Sequence, residues 1–198
     1  MPSHASLTGA QLHEPKGVAA ASASTVYVAD GAGSGAWSAV PSAALPSGAL
    51  VNSSRSQTST VQYGVDLINY DNTIPQSSEG KQFMTLSHTP LSSSNRLVIR
   101  VILYVSPTST PTVVTALFKD SDANALSCNI KYHSTGSNTP SNPAFIEYHM
   151  TAGTTSAITF KVRSGPDAAD TITINGESGA AKLGGTVYSS IEVLEYKA

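Results

Sequence analysis

The chain has 198 residues, 11 basic against 13 acidic side chains, a formal net charge of −2, and 12% charged residues against 40% apolar ones. A charged share of about 25% is ordinary; here 30 serines and 20 threonines take up that part of the surface. The near-neutral balance excludes the basic stripe that phosphate-backbone binding requires. The longest apolar run, residues 97–105 interrupted by Arg100, falls far short of the roughly 20 residues that span a bilayer, so no membrane insertion is expected.

Residues 1–40 are rich in Ala, Gly and Ser, with one strand-like run, Thr25-Val26-Tyr27-Val28. Too few large apolar side chains lie here to offset the ordering entropy, so the segment is expected to be ordered only by docking on another surface. Its start, Met1-Pro2-Ser3-His4-Ala5-Ser6, has neither a basic region nor an apolar core, so no secretory signal is expected there. Residues 41–60 are Ser/Pro/Gly-rich and read as a linker. Asn52-Ser53-Ser54 within them matches a glycosylation sequon, but without a secretory context the match reads as chance.

From residue 61 the hydrophobic period becomes two. Strands are expected at 61–68, 82–87, 95–105, 113–118, 126–133, 145–150, 158–163, 171–174 and 188–196, separated by turn material such as Asp120-Ser121-Asp122 and Asn175-Gly176. Residues 95–105 carry apolar side chains on both faces, which predicts a central strand covered on both sides and suggests subunit packing. No dozen-residue stretch has an apolar stripe at helical spacing. The expectation is an all-β chain with a head domain over 61–198, an antiparallel β-sandwich such as a jelly roll.

Motifs that would carry chemistry fail on their context. Gly31-Ala32-Gly33-Ser34-Gly35 is followed by Trp37-Ser38-Ala39-Val40-Pro41, not by the helix whose N-terminus would face a pyrophosphate. Asp120-Ser121-Asp122-Ala123-Asn124 opens like a calcium loop, yet Ala125 and Lys131 stand where Gly and Glu are needed, so a polar hairpin turn is expected. His4, His13, His88, His133 and His149 show no metal-ligand spacing; only a threefold axis gathering copies of His149 would make a ligand set. The single cysteine, Cys128, excludes an intrachain disulfide and reads as a small buried apolar residue. No nucleophile elbow occurs. The sparse carboxylates near the first strand, Asp66, Asp71 and Glu79, neither favour nor exclude the acid pair of a glycosidase. The chain reads as a binding or structural protein, not an enzyme, with no cofactor and no metal.

Several blocks, in order, resemble the C-terminal head of tailed-bacteriophage fibre-type virion proteins: Asp71-Asn72-Thr73-Ile74-Pro75-Gln76-Ser77-Ser78-Glu79-Gly80, Met84-Thr85-Leu86-Ser87-His88-Thr89-Pro90, Asn95-Arg96-Leu97-Val98-Ile99, then 150–163, 171–176 and 184–193. Near the start, Leu12, His13, Glu14, Pro15, Lys16 and Gly17, with Val18-Ala19-Ala20-Ala21, Val26-Tyr27-Val28-Ala29-Asp30-Gly31 and Trp37, look like a segment common in the same proteins. The resemblance implies a homotrimeric, tumour-necrosis-factor-like jelly-roll head that recognises a host surface polysaccharide or protein. It also implies an N-terminal segment, 1–40, that attaches through Leu12 to Gly17 to another virion protein of the head, neck or tail. The implied location is the virion, assembled in the host cytoplasm and released by lysis. Almost no shaft separates the two parts, which fits a short fibre or spike better than a long tail fibre. The alternative is a capsid or neck decoration protein without receptor binding. A hydroxyl-rich surface suits glycans, and Tyr132, His133 and Tyr148 are candidate stacking faces, although the tyrosines read more readily as cross-strand packing or subunit contacts.

Overall fold

The computed structural model describes residues 21–22, 25–29, 32, 35–109, 112–133 and 141–198. The candidate anchoring residues Leu12, His13, Glu14, Pro15, Lys16 and Gly17 lie outside the described residues. The chain divides into two units, Met1–Pro46 and Ser47–Ala198. In the first, β1 (Val26–Ala29) pairs antiparallel with β2 (Gly35–Ser38), and Tyr27 meets Trp37 edge to face with ring centroids 5.6 Å apart.

The second unit is a two-sheet antiparallel sandwich. Its strands are β3 (Leu50–Thr58), β4 (Gln62–Gly64), β5 (Lys81–His88), β6 (Arg96–Pro107), β7 (Thr112–Lys119), β8 (Ser127–Tyr132), β9 (Asn142–Thr151), β10 (Ile158–Pro166), β11 (Ile172–Ile174), β12 (Gly176–Glu177), β13 (Ala180–Ala181) and β14 (Ser189–Tyr196). One sheet runs β5-β10-β7-β8; the other runs β3-β14-β6-β11-β4, with β9 also paired to β6. These pairings between strands remote in sequence are those of a jelly roll, as the patterning anticipated.

Alternation along β6 builds the core. Leu97, Ile99, Val101, Leu103 and Val105 are all fully buried. They share one cluster with Ile172, Ile174, Ile191 and Val193 of their own sheet and Val113, Leu117, Ile158, Phe160 and Val162 of the facing one. A bulge adds one large side chain: Met84 opposes Val162 and Gln82 opposes Arg163, so Phe83 has no partner, and Phe83 and Met84 both enter the core. On the outer side of β6, Arg100 is exposed and Ile102 and Tyr104 are half-buried. The strand buried at nearly every position is β7 instead, with only Lys119 partly open.

Three further expectations are corrected. Residues 50–58 are not linker: β3 is a sheet strand, paired along its length with β14. Its inward Asn52 and Ser54 are polar because they bond Thr89 O and the His88 imidazole, so no apolar alternation marks it. Residues 61–68 form a strand only at β4; the chain then leaves the sheet. Cys128 is exposed, because β8 is an edge strand and Cys128, Ile130 and Tyr132 share its outward face.

Turn chemistry is more local. Asn175 takes φ of 59°, which Asn tolerates, and is fully buried. Its Nδ2 donates to Thr58 O and Thr60 O, and its Oδ1 accepts from Ser189 Oγ at 2.6 Å. One residue thus ties the end of β3 to β11 and β14.

Replacing Phe160 with Ala should destabilise the sandwich by about 3–5 kcal/mol, read as a lowered denaturant midpoint at an unchanged slope.

Candidate functional site

Between β4 and β5, residues 65–80 form a strap whose two ends nearly touch: a Cβ placed on Gly64 would sit 3.0 Å from Lys81 Cβ. Such a compact loop with adjoining ends is an Ω-loop, a form frequently used for function. The strap exists because the outer row of β7 is apolar. Ile68, fully buried, covers Val114, Ala116 and Phe118. Its amide donates to Pro166 O at 3.1 Å, and Gly80 N donates to Leu67 O at 2.8 Å. Gly80 has φ of +59°, and a Cβ there would lie 2.7 Å from the Ile68 side chain. Arg163 donates from Nε to Glu79 O at 2.7 Å and from Nη2 to Gly80 O at 2.6 Å. At the far side, Ser77 N donates to Ala123 O and Ala125 N to Pro75 O, which joins the strap to the β7–β8 turn. That turn holds Asp120, Asp122 and Lys119 as a polar hairpin with ion pairs of 3.2 and 3.5 Å.

The strap carries Tyr70 against Tyr132 of β8. The ring centroids are 6.1 Å apart and the planes cross at 83°. Tyr70 is 52% and Tyr132 65% exposed, and Ile130, on the same face of β8, is 37% exposed. The neighbouring Tyr70 hydroxyl, toward which Tyr132 can donate, holds the Tyr132 pKa above its ordinary value, with smaller effects of burial and nearby charge including Asp167. Of the three stacking candidates, only Tyr132 is presented to solvent. Tyr148 packs against the main core. His133 is buried with neither ring nitrogen hydrogen-bonded, and burial first, then Lys131, lowers its pKa. It is a neutral interior imidazole.

A second polar centre lies between the sheets. Glu195 of β14 is fully buried, and its Oε2 lies 3.2 Å from His88 Nε2. Its Oε1 accepts from Asn95 Nδ2 at 2.7 Å, Leu91 N at 2.8 Å and Ser92 N at 3.3 Å. Burial pushes this carboxyl up, but the bonds from Asn95, Leu91 and Ser92 outweigh it and hold the pKa below its ordinary 4.5. His88 Nε2 faces the ionised Glu195, and its Nδ1 lies 3.0 Å from Ser54 Oγ. Serine, histidine and carboxylate thus stand in the order of a nucleophilic relay. His88 is only 1% exposed, however, so no leaving group reaches the ring that would have to protonate it. The relay fastens the β5–β6 loop to the C-terminal strand.

The outer face of the larger sheet is mixed. Cross-strand register sets Glu147, Arg100, Glu192 and Arg55 in one row of alternating charge. Arg100 Nε donates to Glu147 Oε2 at 2.7 Å, and His149 Nε2 lies 3.0 Å from Glu147 Oε1. Those two partners hold Glu147 below the usual carboxylate range. The next row is apolar at one end, with exposed Phe145 opposite Ile102, and continues through polar Ser190 and Gln57. Beside it, Tyr104, Ser141, Glu177, Lys182, Leu183 and Val187 line a cavity of about 360 Å³. Among the described residues no group of three or more His, Cys, Asp or Glu could hold a metal ion, and no helix is long and apolar enough to cross a membrane.

No protein-family model matches this sequence, and no curated protein matches it. Among solved structures, the chain is similar to Eiger TNF from S. frugiperda, at 14% identity and a TM-score of 0.44 over 73% of this chain and 93% of that one. It is similar to dimeric latent PorU from Porphyromonas gingivalis, at 6% identity and 0.35, over 77% of this chain and 14% of that one. It is also similar to the enzymatically active domain of bacteriophage CBA120 tailspike protein 4, at 16% identity and 0.26, over 62% of this chain and 18% of that one. The chain therefore spans nearly all of the first and less than a fifth of the other two. At these scores the functional reading rests on this chain's own residues.

Because Glu195 has a lowered pKa in the fold, its contribution is present above the unfolded value of about 4.5 and is lost as pH falls through the folded value. Glu195→Gln should cost about 1.5–3 kcal/mol at pH 7. Its melting temperature should fall less steeply than that of the parent on acidification from pH 5 to pH 3. Equal slopes would remove Glu195 from the acid transition.

Proposed function

We propose that the protein is a non-catalytic phage virion fibre or spike. In this reading its sandwich assembles as a homotrimeric head that binds the host cell surface, and residues 1–40 hold it to the particle. The observation that supports this most is where the resembling blocks fall. Residues 71–80 lie in the strap, 84–90 and 95–99 run along β5, its following loop and β6, and 150–163, 171–176 and 184–193 follow β9, β10, β11 and β14. The blocks cover both sheets and the surface loop in order.

The outer face of the larger sheet is the surface we assign to subunit packing. Phe145, Ile102 and Tyr104 give it an apolar end, and the alternating row Glu147, Arg100, Glu192 and Arg55 can meet a complementary copy without like charges opposed. Repetition of weakly binding heads around a particle would raise the overall grip on a cell through effective concentration. The sealed imidazole of His88 supports a binding role over a hydrolytic one.

Mass measurement of the intact assembly should give three copies, and Ile102→Glu should give one; a monomeric parent protein would overturn the trimer. Removal of residues 1–40 should leave the trimer soluble but absent from purified virions. Normal incorporation of the truncated chain would overturn the anchoring role. Purified protein should compete with the phage that carries it for adsorption to host cells. Failure to compete would favour a purely structural decoration protein.

A further inference from the structure

We propose that Tyr70 and Tyr132 form a saccharide-binding site whose ligand is a neutral glycan of the bacterial surface; this rests on the host-recognition reading above and narrows it to one site and one ligand class. The two rings are nearly perpendicular and both more than half exposed. They make a corner in which one aromatic face can stack against the C–H face of a pyranose, while the hydroxyls stay at the solvent edge. The edge-to-face contact holds each ring against the other, so both are oriented before any ligand arrives and little side-chain freedom is lost on binding. The backbone beneath is fixed as well, by Ile68 packed on β7 and by the β-ladder of β8 with β7.

Charge narrows the ligand. Residues 65–80 carry three carboxylates, Asp66, Asp71 and Glu79, and no basic side chain. Asp71 follows Tyr70 directly in the chain, and its pKa is lowered by the Thr73 hydroxyl and amide. Asp167 acts on Tyr132 through space. The outward face of β8 adds only Cys128, Ile130 and Tyr132. Uronic, sialic or phosphorylated sugars would meet the like charge of Asp71 and Asp167, whereas a neutral hexose offers C–H faces to the rings without that repulsion. A second copy of the chain fits poorly, because a twofold contact at this corner would set Asp71 and Asp167 near their own equivalents. The aromatic area is two rings and one isoleucine, about the footprint of one or two sugar units and well below the roughly 800 Å² per partner of a stable protein interface.

The test uses the full chain and a printed array of bacterial surface polysaccharides, neutral and acidic. The parent protein should bind a subset of the neutral polysaccharides. Tyr70→Ala and Tyr132→Ala should each weaken that binding about tenfold, equivalent to about 1.4 kcal/mol. Melting temperature and assembly mass should stay unchanged, and Tyr188→Ala, on β14's approach, should bind as the parent does. Binding to acidic polysaccharides alone, no binding to any, or undiminished binding by both variants would overturn the site. A changed assembly mass in either variant would overturn it in favour of a subunit contact. The two proposals fail separately: a Tyr70→Ala/Tyr132→Ala double variant that still blocks phage adsorption removes this site and leaves host recognition standing, whereas a parent protein that never blocks adsorption removes both.

Discussion

The burial of β7 on both faces is the constraint from which the rest of the surface follows. An antiparallel strand in a two-sheet sandwich needs one apolar face, yet Val114, Ala116 and Phe118 are apolar on the other as well. Left open, that row would put a bulky hydrophobic stripe in water. Ile68 covers it, and to place Ile68 the chain must leave the sheet after β4, cross over the smaller sheet and return at β5. The strap is therefore a packing requirement before it is anything else, and the presentation of Tyr70 beside Tyr132 is a result of it. A surface carried by a loop that the core holds down combines the reach of a loop with the rigidity of a sheet.

A comparable economy operates at the other polar centre. Glu195 is a buried carboxylate that would be unfavourable alone, but it satisfies two backbone amides, Asn95 and His88 together. The loop between β5 and β6, the last strand and the edge strand β3 are thereby joined through one side chain and its neighbours. The order Ser54, His88, Glu195 could be mistaken for catalytic machinery if distances alone were read. The His88 ring and the Glu195 carboxylate are both sealed by protein, while Ser54 at the head of the row is half-buried.

How much was legible in the sequence varied with how much each residue depends on its own neighbours. β6, β10 and β14 announce themselves because their alternation is the core itself. The turns at Asp120 and Asn175 were legible for the same local reason. β3 was not, since its inward Asn52 and Ser54 answer to His88 and Thr89 rather than to an apolar core. Ile68 looked like the end of a strand because an apolar residue in a short run has the same appearance whether it extends a sheet or lies across one. Tyr132 could be nominated as an exposed ring, but its partner Tyr70 is brought to it only by the strap's path. Composition favours burial of Cys128, whereas the edge strand β8 turns every second residue, Cys128 among them, outward.

The placement of β14 has a consequence for how the sandwich is made. Among the described residues β3 is bonded to no strand but β14, which itself lies between β3 and β6, and β14 is translated after every other strand of the sheet. Until it emerges from the ribosome, β3 has nothing to pair with and the inner edge of β6 is bare. The sheet must then be zipped shut by its latest arrival, inserted between two waiting neighbours. Closure at such long sequence separation is slow, so nascent heads should sit for a time as half-built sandwiches with unpaired edges, the stage at which chaperones have most to protect.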